Sequence, residues 1–347
     1  MQRRVVFHAD EHGVSSMRIP GMVRSNAGTL LAFCEARDGG DRTPTDLVLK
    51  RSEDGGRTWG PLQLVVKARA LDAIMNPCPV VDSSTGTIHC FSNIFPGDGR
   101  DIHREPGKVR TIISRSEDDG LTWSPPEDIT EDIMDASRDY GKVTGPGTGI
   151  QTDSGRLVIP FGLGPEDDCH AMIVYSDDHG ESWQAGGRTR STSTETQVVE
   201  LSDGSLRLDM RNQNPEQKPV HCRYYSISQD GGKTWTEPTR DPGLVDVRCQ
   251  GSILRYPFRP PGHDRYPILF ANPASSYGNR VNMTVRLSYD DGHSWPIART
   301  VHRGPSAYCC LASLPDEKIA LLYEGGEEHR YDTISCAVFD LDWLMEA

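Results

Sequence analysis

Five octets that fit the pattern S-x-D-x-G-x-[TS]-W constrain this chain more than any other feature. They are SEDGGRTW (52–59), SEDDGLTW (116–123), SDDHGESW (176–183), SQDGGKTW (228–235) and SYDDGHSW (288–295), with first serines 64, 60, 52 and 60 residues apart. A unit of about 50–60 residues holds four short strands, the content of one propeller blade, whereas helical repeats are shorter and carry a 3.6-residue apolar period. The 347 residues divide into about six such units, which predicts an all-β, six-bladed β-propeller forming a single domain over residues 1–347. Each octet reads as a hairpin turn: the Asp accepts backbone N–H bonds, the Gly supplies a positive φ, the hydroxyls close the loop and the Trp packs beneath it. Calcium binding would ask for several oxygen ligands and a closing bidentate Glu, yet only one Asp recurs in all five, so the octet is a turn rather than a metal site. It speaks to architecture and leaves function to be read elsewhere.

Composition agrees with strands. Gly 34 and Pro 24 are plentiful, and short alternating stretches such as GTIHCF (86–91), RLVIPF (156–161) and KIALLY (318–323) recur where helical periods are scarce. A formal net charge of −13 argues against a nucleic-acid binder, because that affinity comes mostly from Lys and Arg on phosphates. No apolar run reaches membrane-spanning length, and the start, MQRRVVFHADEHGV, has no signal-peptide core. Nine scattered cysteines, an odd number without CxxC spacing, fit free thiols in a reducing compartment. The expectation is a soluble cytoplasmic chain; one already freed of a leader, and therefore secreted or periplasmic, would look the same.

If the octets mark outer turns, chemistry belongs at the central channel, on polar residues the repeat does not explain. Three arginines stand in such places: Arg18 in SSMRIPGMVRS (15–25), Arg211 in LRLDMRNQN (206–214) and Arg280 in SSYGNRVNMTVRLSYDDG (275–292). His8, His89 and His170 show no ligand spacing and read as surface or packing residues. GPGTGIQ (145–151) mimics a phosphate-binding loop but lacks its Lys-Ser/Thr and βαβ context, and reads as an inter-blade loop at the pocket rim.

MRIP (17–20) followed by these octets resembles the exo-α-sialidase (neuraminidase) family of six-bladed propellers, with its (F/Y)RIP motif and repeated Asp boxes. The similarity runs from about Met17 to Trp343, and CEAR (34–37), MNPCPVVDSSTGTI (75–88), TETQVVELSDG (194–204), CQGS (249–252), SAYCCL (306–311) and LLYEGG (321–326) resemble family segments in the same order. The resemblance implies a retaining exo-α-sialidase acting on sialylated glycans, with no cofactor and no metal. Its alternatives are a same-fold enzyme for a deaminated nonulosonic acid, a trans-sialidase or anhydro-sialidase, and a non-catalytic glycan-binding propeller. Met17 stands where the family has an aromatic, a change in packing under Arg18 rather than in chemistry.

Carried over residue by residue, the resemblance implies that Arg18, Arg211 and Arg280 grip the substrate carboxylate, as planar guanidinium groups do bidentately. Glu324 would prop Arg18. A carboxylate nucleophile would approach the carboxylate-bearing anomeric carbon against like charge, and sialidases use Tyr instead; here that position is Tyr308. Ionising an unperturbed phenol at pH 6 costs roughly 5 kcal/mol, so a base is needed. Glu195 and Glu200 stand in one segment, and the resemblance selects Glu195. The general acid lies on the loop EARDGGDRTPTDLVLKRS (35–52), where counting back from LVLKRS favours Asp41 over Asp38 and Asp46. Arg37, Met75, Asn76 and Gln250 are implied pocket residues, Met75 and Asn76 on the N-acyl side. Linkage preference would depend on outer loops such as FPGDGRDIHREPG (95–107). The sixth unit has no octet, and joining the N-terminal strand to CAVFDLDW (336–343) would complete it and fasten the ring.

Overall fold

Apolar runs too short for helices and bounded by Gly, Pro and Asp leave hairpins as the local solution. The computed structural model describes residues 1–9, 13–41, 43–97, 108–134, 141–164, 169–190, 193–212, 222–275 and 279–346, and most of the loop 95–107 lies outside them. The chain begins with β1 (Gln2–His8), which belongs to the last blade. The first blade is β2 (Ser16–Arg24), β3 (Leu30–Arg37), β4 (Thr45–Ser52) and β5 (Gln63–Val66). The second is β6 (Ala73–Val81), β7 (Ile88–Phe95), β8 (Arg110–Ser116) and β9 (Glu127–Asp128). In the third, β10 (Lys142–Thr144) and β11 (Ile150–Gln151) share the inner position beside β12 (Leu157–Leu163), followed by β13 (His170–Ser176) and β14 (Gln184–Arg188). The fourth is β15 (Ser193–Glu200), β16 (Leu206–Asn212), β17 (Cys222–Ser228) and β18 (Thr239–Val245). The fifth is β19 (Ser252–Arg255), β20 (Ile268–Pro273), β21 (Val281–Ser288) and the first part of β22 (Ile297–Ser313), whose second part opens the sixth blade with β23 (Lys318–Gly325) and β24 (Thr333–Asp340). Strand β1 completes that blade antiparallel to β24, from Gln2 opposite Val338 to His8 opposite Thr333, so the two ends of the chain close the ring. The architecture is an all-β, six-bladed β-propeller.

Six apolar clusters lie between successive blades rather than within them, and each octet tryptophan packs on the cluster it shares with the preceding blade. Trp123 meets Phe33 edge-on at 5.6 Å, Trp183 meets Phe91 at 4.6 Å, and Trp235 donates Nε1–H to the Gly187 carbonyl at 3.0 Å. The octets are therefore inter-blade fasteners as well as turns. Their aspartates are saturated internally: Asp54 accepts from Ser52 Oγ at 2.9 Å, Thr58 N at 2.9 Å and Thr58 Oγ1 at 2.6 Å, and the other four repeat the pattern. The sixth blade carries the helix Leu341–Met345 at the corresponding place, capped by Asp340, which accepts from Trp343 N at 2.8 Å. Trp343 lies under Arg299 of the fifth blade at 4.2 Å and performs the same task without an octet. His89 is buried under the third octet, while His170 donates Nδ1–H to the Thr189 carbonyl at 2.7 Å, so both are packing residues. All nine cysteines are buried, unbridged thiols.

The segment 145–149 corrects the expectation of a rim loop. It is largely buried at the propeller axis: Gly145 N donates to Pro160 O at 2.7 Å, Gly147 N to Pro77 O at 3.1 Å, and Pro146 O accepts from Gln197 at 3.2 Å and from Gln250 at 3.0 Å. A Cβ on Gly145 would lie 2.0 Å from Thr196 O, so the glycines permit backbone to fill a channel too narrow for side chains. The channel is thereby divided. One cavity of about 430 Å³ opens at the far ends of the inner strands, around Arg24, Glu200 and Arg255, and another lies at their near ends.

Gly120 has φ +77°, and a Cβ there would meet Leu31 of the preceding blade at 2.1 Å, whereas at Gly56 the nearest atom, on Val338, is 3.3 Å away. Gly120→Ala is expected to lower unfolding free energy by about 1–3 kcal/mol and Gly56→Ala by less, read from urea midpoints. Equal effects would remove the inter-blade contact from the explanation. Hydrogen bonds from Ser182 and Thr234 hold Asp178 and Asp230 at about 2, below their ordinary 3.8. Groups with depressed values stabilise fully above about pH 4 and lose that contribution as pH falls toward 2. Asp178→Asn should accordingly flatten the fall of Tm between about pH 4 and 2, measured by calorimetry.

Candidate active site

The near-end cavity, of about 350 Å³, is built where the inner strands break their regular pairing. Strand β2 slips register between Arg18 and Gly21, β6 between Met75 and Cys78, β15 between Thr194 and Thr196, and β22 between Ser306 and Cys309. At three of these breaks stand left-handed residues that are not glycine, Ile19 (φ 57°), Asn76 (φ 57°) and Glu195 (φ 47°), and Arg248 (φ 58°) takes the same conformation in the connection between β18 and β19. A β-branched residue such as Ile19 is strained there, at a cost of order 1–3 kcal/mol. Each break turns a side chain or an amide out of the sheet and toward the cavity or its floor.

Buried carboxylates take up the amides so released. Glu324 at the end of β23, fully buried, accepts from Arg18 Nε at 2.8 Å, Ile19 N at 2.7 Å and Tyr308 N at 3.0 Å. One side chain thus ties the first and sixth blades together below two site residues. Burial works against the Arg18 charge, but Glu324 together with Tyr331 and Tyr308 more than offsets it, and the guanidinium is held above its usual range. Glu35, also fully buried, accepts from Arg37 Nε at 2.7 Å and from Asn76 N at 2.7 Å. Burial pushes the Glu35 carboxyl up, and Arg37 offsets this only in part. Arg37 in turn donates to Asp41 on the loop between β3 and β4, and Arg18 Nη1 lies 4.0 Å from the same Asp41 oxygen.

On the opposite side the Tyr308 hydroxyl donates to Glu195 Oε1, and Arg211 Nη1 lies 2.5 Å from Glu195 Oε2 and 3.4 Å from the Tyr308 oxygen. Burial pushes the Tyr308 phenol well up, and the Glu195 charge adds to this, while Arg211 and Arg280 pull it down. Burial also raises Glu195, but Arg211 and the Tyr308 hydroxyl outweigh it and leave that carboxyl below its usual range. Arg280, just before β21, donates to Arg248 O at 2.6 Å and faces the Tyr308 ring at 5.8 Å.

Of the residues singled out from the sequence, Arg18, Arg37, Asp41, Met75, Asn76, Glu195, Arg211, Arg280 and Tyr308 all line this one cavity, and Glu324 lies directly beneath it. Met75 belongs to an apolar wall with Phe95 and Val109. Asp46 is engaged elsewhere, with Lys67 at 2.5 Å and Ala68 N at 2.8 Å, and neither it nor Asp38 lines the cavity. Glu200 faces the far-end cavity beside Arg255. Gln250 corrects an expectation. It is fully buried and spends both ends of its amide on Pro146 O, Cys309 O and Cys309 N, so it holds the Tyr308 strand instead of lining the cavity. Two contributors went unread. Glu35 was signalled by its i, i+2 spacing to Arg37 on one face of β3; Tyr331, whose ring lies 3.4 Å from the Arg18 guanidinium carbon, comes from an irregular stretch with no comparable signal.

Glu324→Gln would present an amide N–H₂ to donors that now share a carboxylate. Breaking such a buried pair is expected to cost about 3–5 kcal/mol, seen as a lower guanidinium midpoint, and a shift under 1 kcal/mol would show that the Arg18 and Tyr308 segments hold without it.

The family model described as a BNR repeat-like domain matches residues 28–323. A sialidase of Micromonospora viridifaciens is 34% identical over 350 residues, which cover 96% of this chain, and the chain spans 52% of that relative's length. An exo-alpha-sialidase of Aspergillus fumigatus is 30% identical over 375 residues, covering 96% of this chain and 86% of the relative. The solved structure of Hadza microbial sialidase Hz136 matches with a TM-score of 0.89 at 29% identity, over 99% of this chain and 69% of that one. With the propeller, the fasteners and the arginine-lined cavity already in place, this chain belongs to the sialidase family of BNR-repeat proteins.

Proposed function

We propose that the chain is a retaining exo-α-sialidase that releases terminal α-linked sialic acid from glycans, with Tyr308 as nucleophile. The observation that carries this reading is the hydrogen-bonded set Tyr308–Glu195–Arg211 at one end of a cavity that also holds Arg18 and Arg280. A phenol raised by burial stays protonated at rest, so its proton must leave as the bond forms, and Glu195 is placed to take it. Arg18, Arg211 and Arg280 supply fixed positive charge that fits the substrate carboxylate and never titrates near neutral pH.

In the proposed sequence Asp41 donates its proton to the glycosidic oxygen as that bond breaks, the Tyr308 oxygen bonds to the anomeric carbon, and Glu195 keeps the phenolic proton. Asp41, now a carboxylate, takes a proton from water, whose oxygen displaces Tyr308; the phenolate recovers its proton from Glu195 as the sugar leaves. Two displacements at one carbon retain its configuration. Arg37, fixed by Glu35, would orient Asp41 on an otherwise exposed loop.

Tyr308→Phe should lower kcat on an aryl sialoside by at least about 10²-fold while leaving the unfolding midpoint in place. Asp41→Ala should lose more on a natural sialyl oligosaccharide than on the aryl substrate, because a good leaving group partly bypasses the acid. Near-normal rates in either variant would remove that residue from the mechanism. Proton NMR of the first product should show the α-anomer; an anhydro sugar or a sugar transferred to an acceptor would replace hydrolysis with the corresponding transfer reaction.

A further inference from the structure

We propose that Asp246 is a positioning residue for two of the three carboxylate-binding arginines, Arg211 and Arg280, an inference that rests on the sialidase reading above. Asp246 is fully buried between β18 and β19, where the chain passes from the fourth blade to the fifth, and it does not line the cavity. Its Oδ2 accepts from Asn212 N at 2.8 Å, the amide directly after Arg211 at the end of β16. Its Oδ1 accepts from Arg248 N at 2.6 Å and lies 3.4 Å from Cys249 N. Arg248 is left-handed, with φ 58°, and the carbonyl that this conformation aims inward receives Arg280 Nη2 at 2.6 Å. One carboxylate therefore fixes the backbone under Arg211 and, through one peptide, the anchor of Arg280.

The residues behind Asp246 support the same role. Arg223, fully buried, donates Nη1–H to Cys249 O at 3.0 Å, lies 3.7 Å from Asp246 Oδ2 and is paired on its other side with the buried Asp209. A buried chain of alternating charge costs desolvation and is weak evidence for stability; what it does here is hold the turn 246–249 against β16 and β17. An amide at position 246 keeps one acceptor and turns two donors toward the other amide, so Asp246→Asn must release either Asn212 or Arg248.

The arginines contact the substrate carboxylate in the ground state and the transition state alike, so loosening them is expected in KM rather than kcat. Asp246→Asn should raise KM for an aryl sialoside about tenfold and keep kcat within about threefold, with the affinity for an unreactive carboxylate-bearing sialic acid analogue falling by the same factor. In an Arg280→Lys background the further effect of Asp246→Asn should shrink, because the two act through one contact. If Asp246→Asn does not fold, Arg248→Pro decides the matter. Proline cannot adopt the left-handed angle and has no N–H for Asp246, so the carbonyl turns away from Arg280 at the one half-buried residue of this turn, and KM should again rise. Active wild-type protein with unchanged KM in both variants overturns the inference, as does a kcat loss without a KM change. Wild-type protein that neither binds the analogue nor releases sialic acid overturns the sialidase reading itself.

Discussion

Gathering Arg18, Arg37, Arg211 and Arg280 around one cavity is the constraint on which the rest of the structure depends. Like charges repel by about 4 kcal/mol at 4 Å even at an effective dielectric of 20, and burial deprives each of water. The propeller answers by placing a carboxylate against each cluster. Glu324 serves Arg18, Glu35 and Asp41 serve Arg37, and Glu195 serves Arg211. Arg280 is held instead by a carbonyl, the Tyr331 hydroxyl and the face of the Tyr308 ring. Two of these acids, Asp41 and Glu195, line the cavity as well, which is how a charge-balancing set doubles as a set of proton donors and acceptors.

These pairings need backbone that regular strands do not provide. A strand in full register satisfies its own amides, and none would be free to reach Glu324 or Glu35. The register breaks in β2, β6 and β22 release them and the break in β15 turns out Glu195, at the cost of the strained angles at Ile19, Asn76 and Glu195. Such strain persists only where surrounding structure over-determines it. Here that structure is a closed ring whose six inter-blade cores and β1–β24 pairing leave no blade free to relax alone.

What was legible in the sequence follows from which signals are local. The octets are readable because turn chemistry lies within eight residues, and they counted the blades. Arg18, Arg211 and Arg280 are separated by up to 262 positions, so their convergence came from resemblance to a family and not from spacing. Gln250 was misplaced because a polar residue at an inner-strand position looks the same whether it faces the cavity or spends its amide on neighbouring backbone. Asp209 and Arg223 stand in alternating strands and Asp246 in a connection, where each looks like a solvated charge; only their burial against one another shows otherwise. GPGTGIQ was read as rim because nothing local says that five blades converge on its backbone.

The plug at 145–149 also explains why the two ends of the propeller carry different work. The fasteners close the turns that follow β4, β8, β13, β17 and β21, at the ends of those strands away from the arginine cavity, while Asp41 sits on the turn that precedes β4. Strand β4 alone separates Asp41 from Ser52, the first residue of the octet SEDGGRTW. Stability is thus concentrated at one end in saturated aspartates and tryptophans that need no substrate. At the other end, the arginines and the Tyr308–Glu195 pair keep their strained, charge-dense arrangement because the fastened end holds the blades in place.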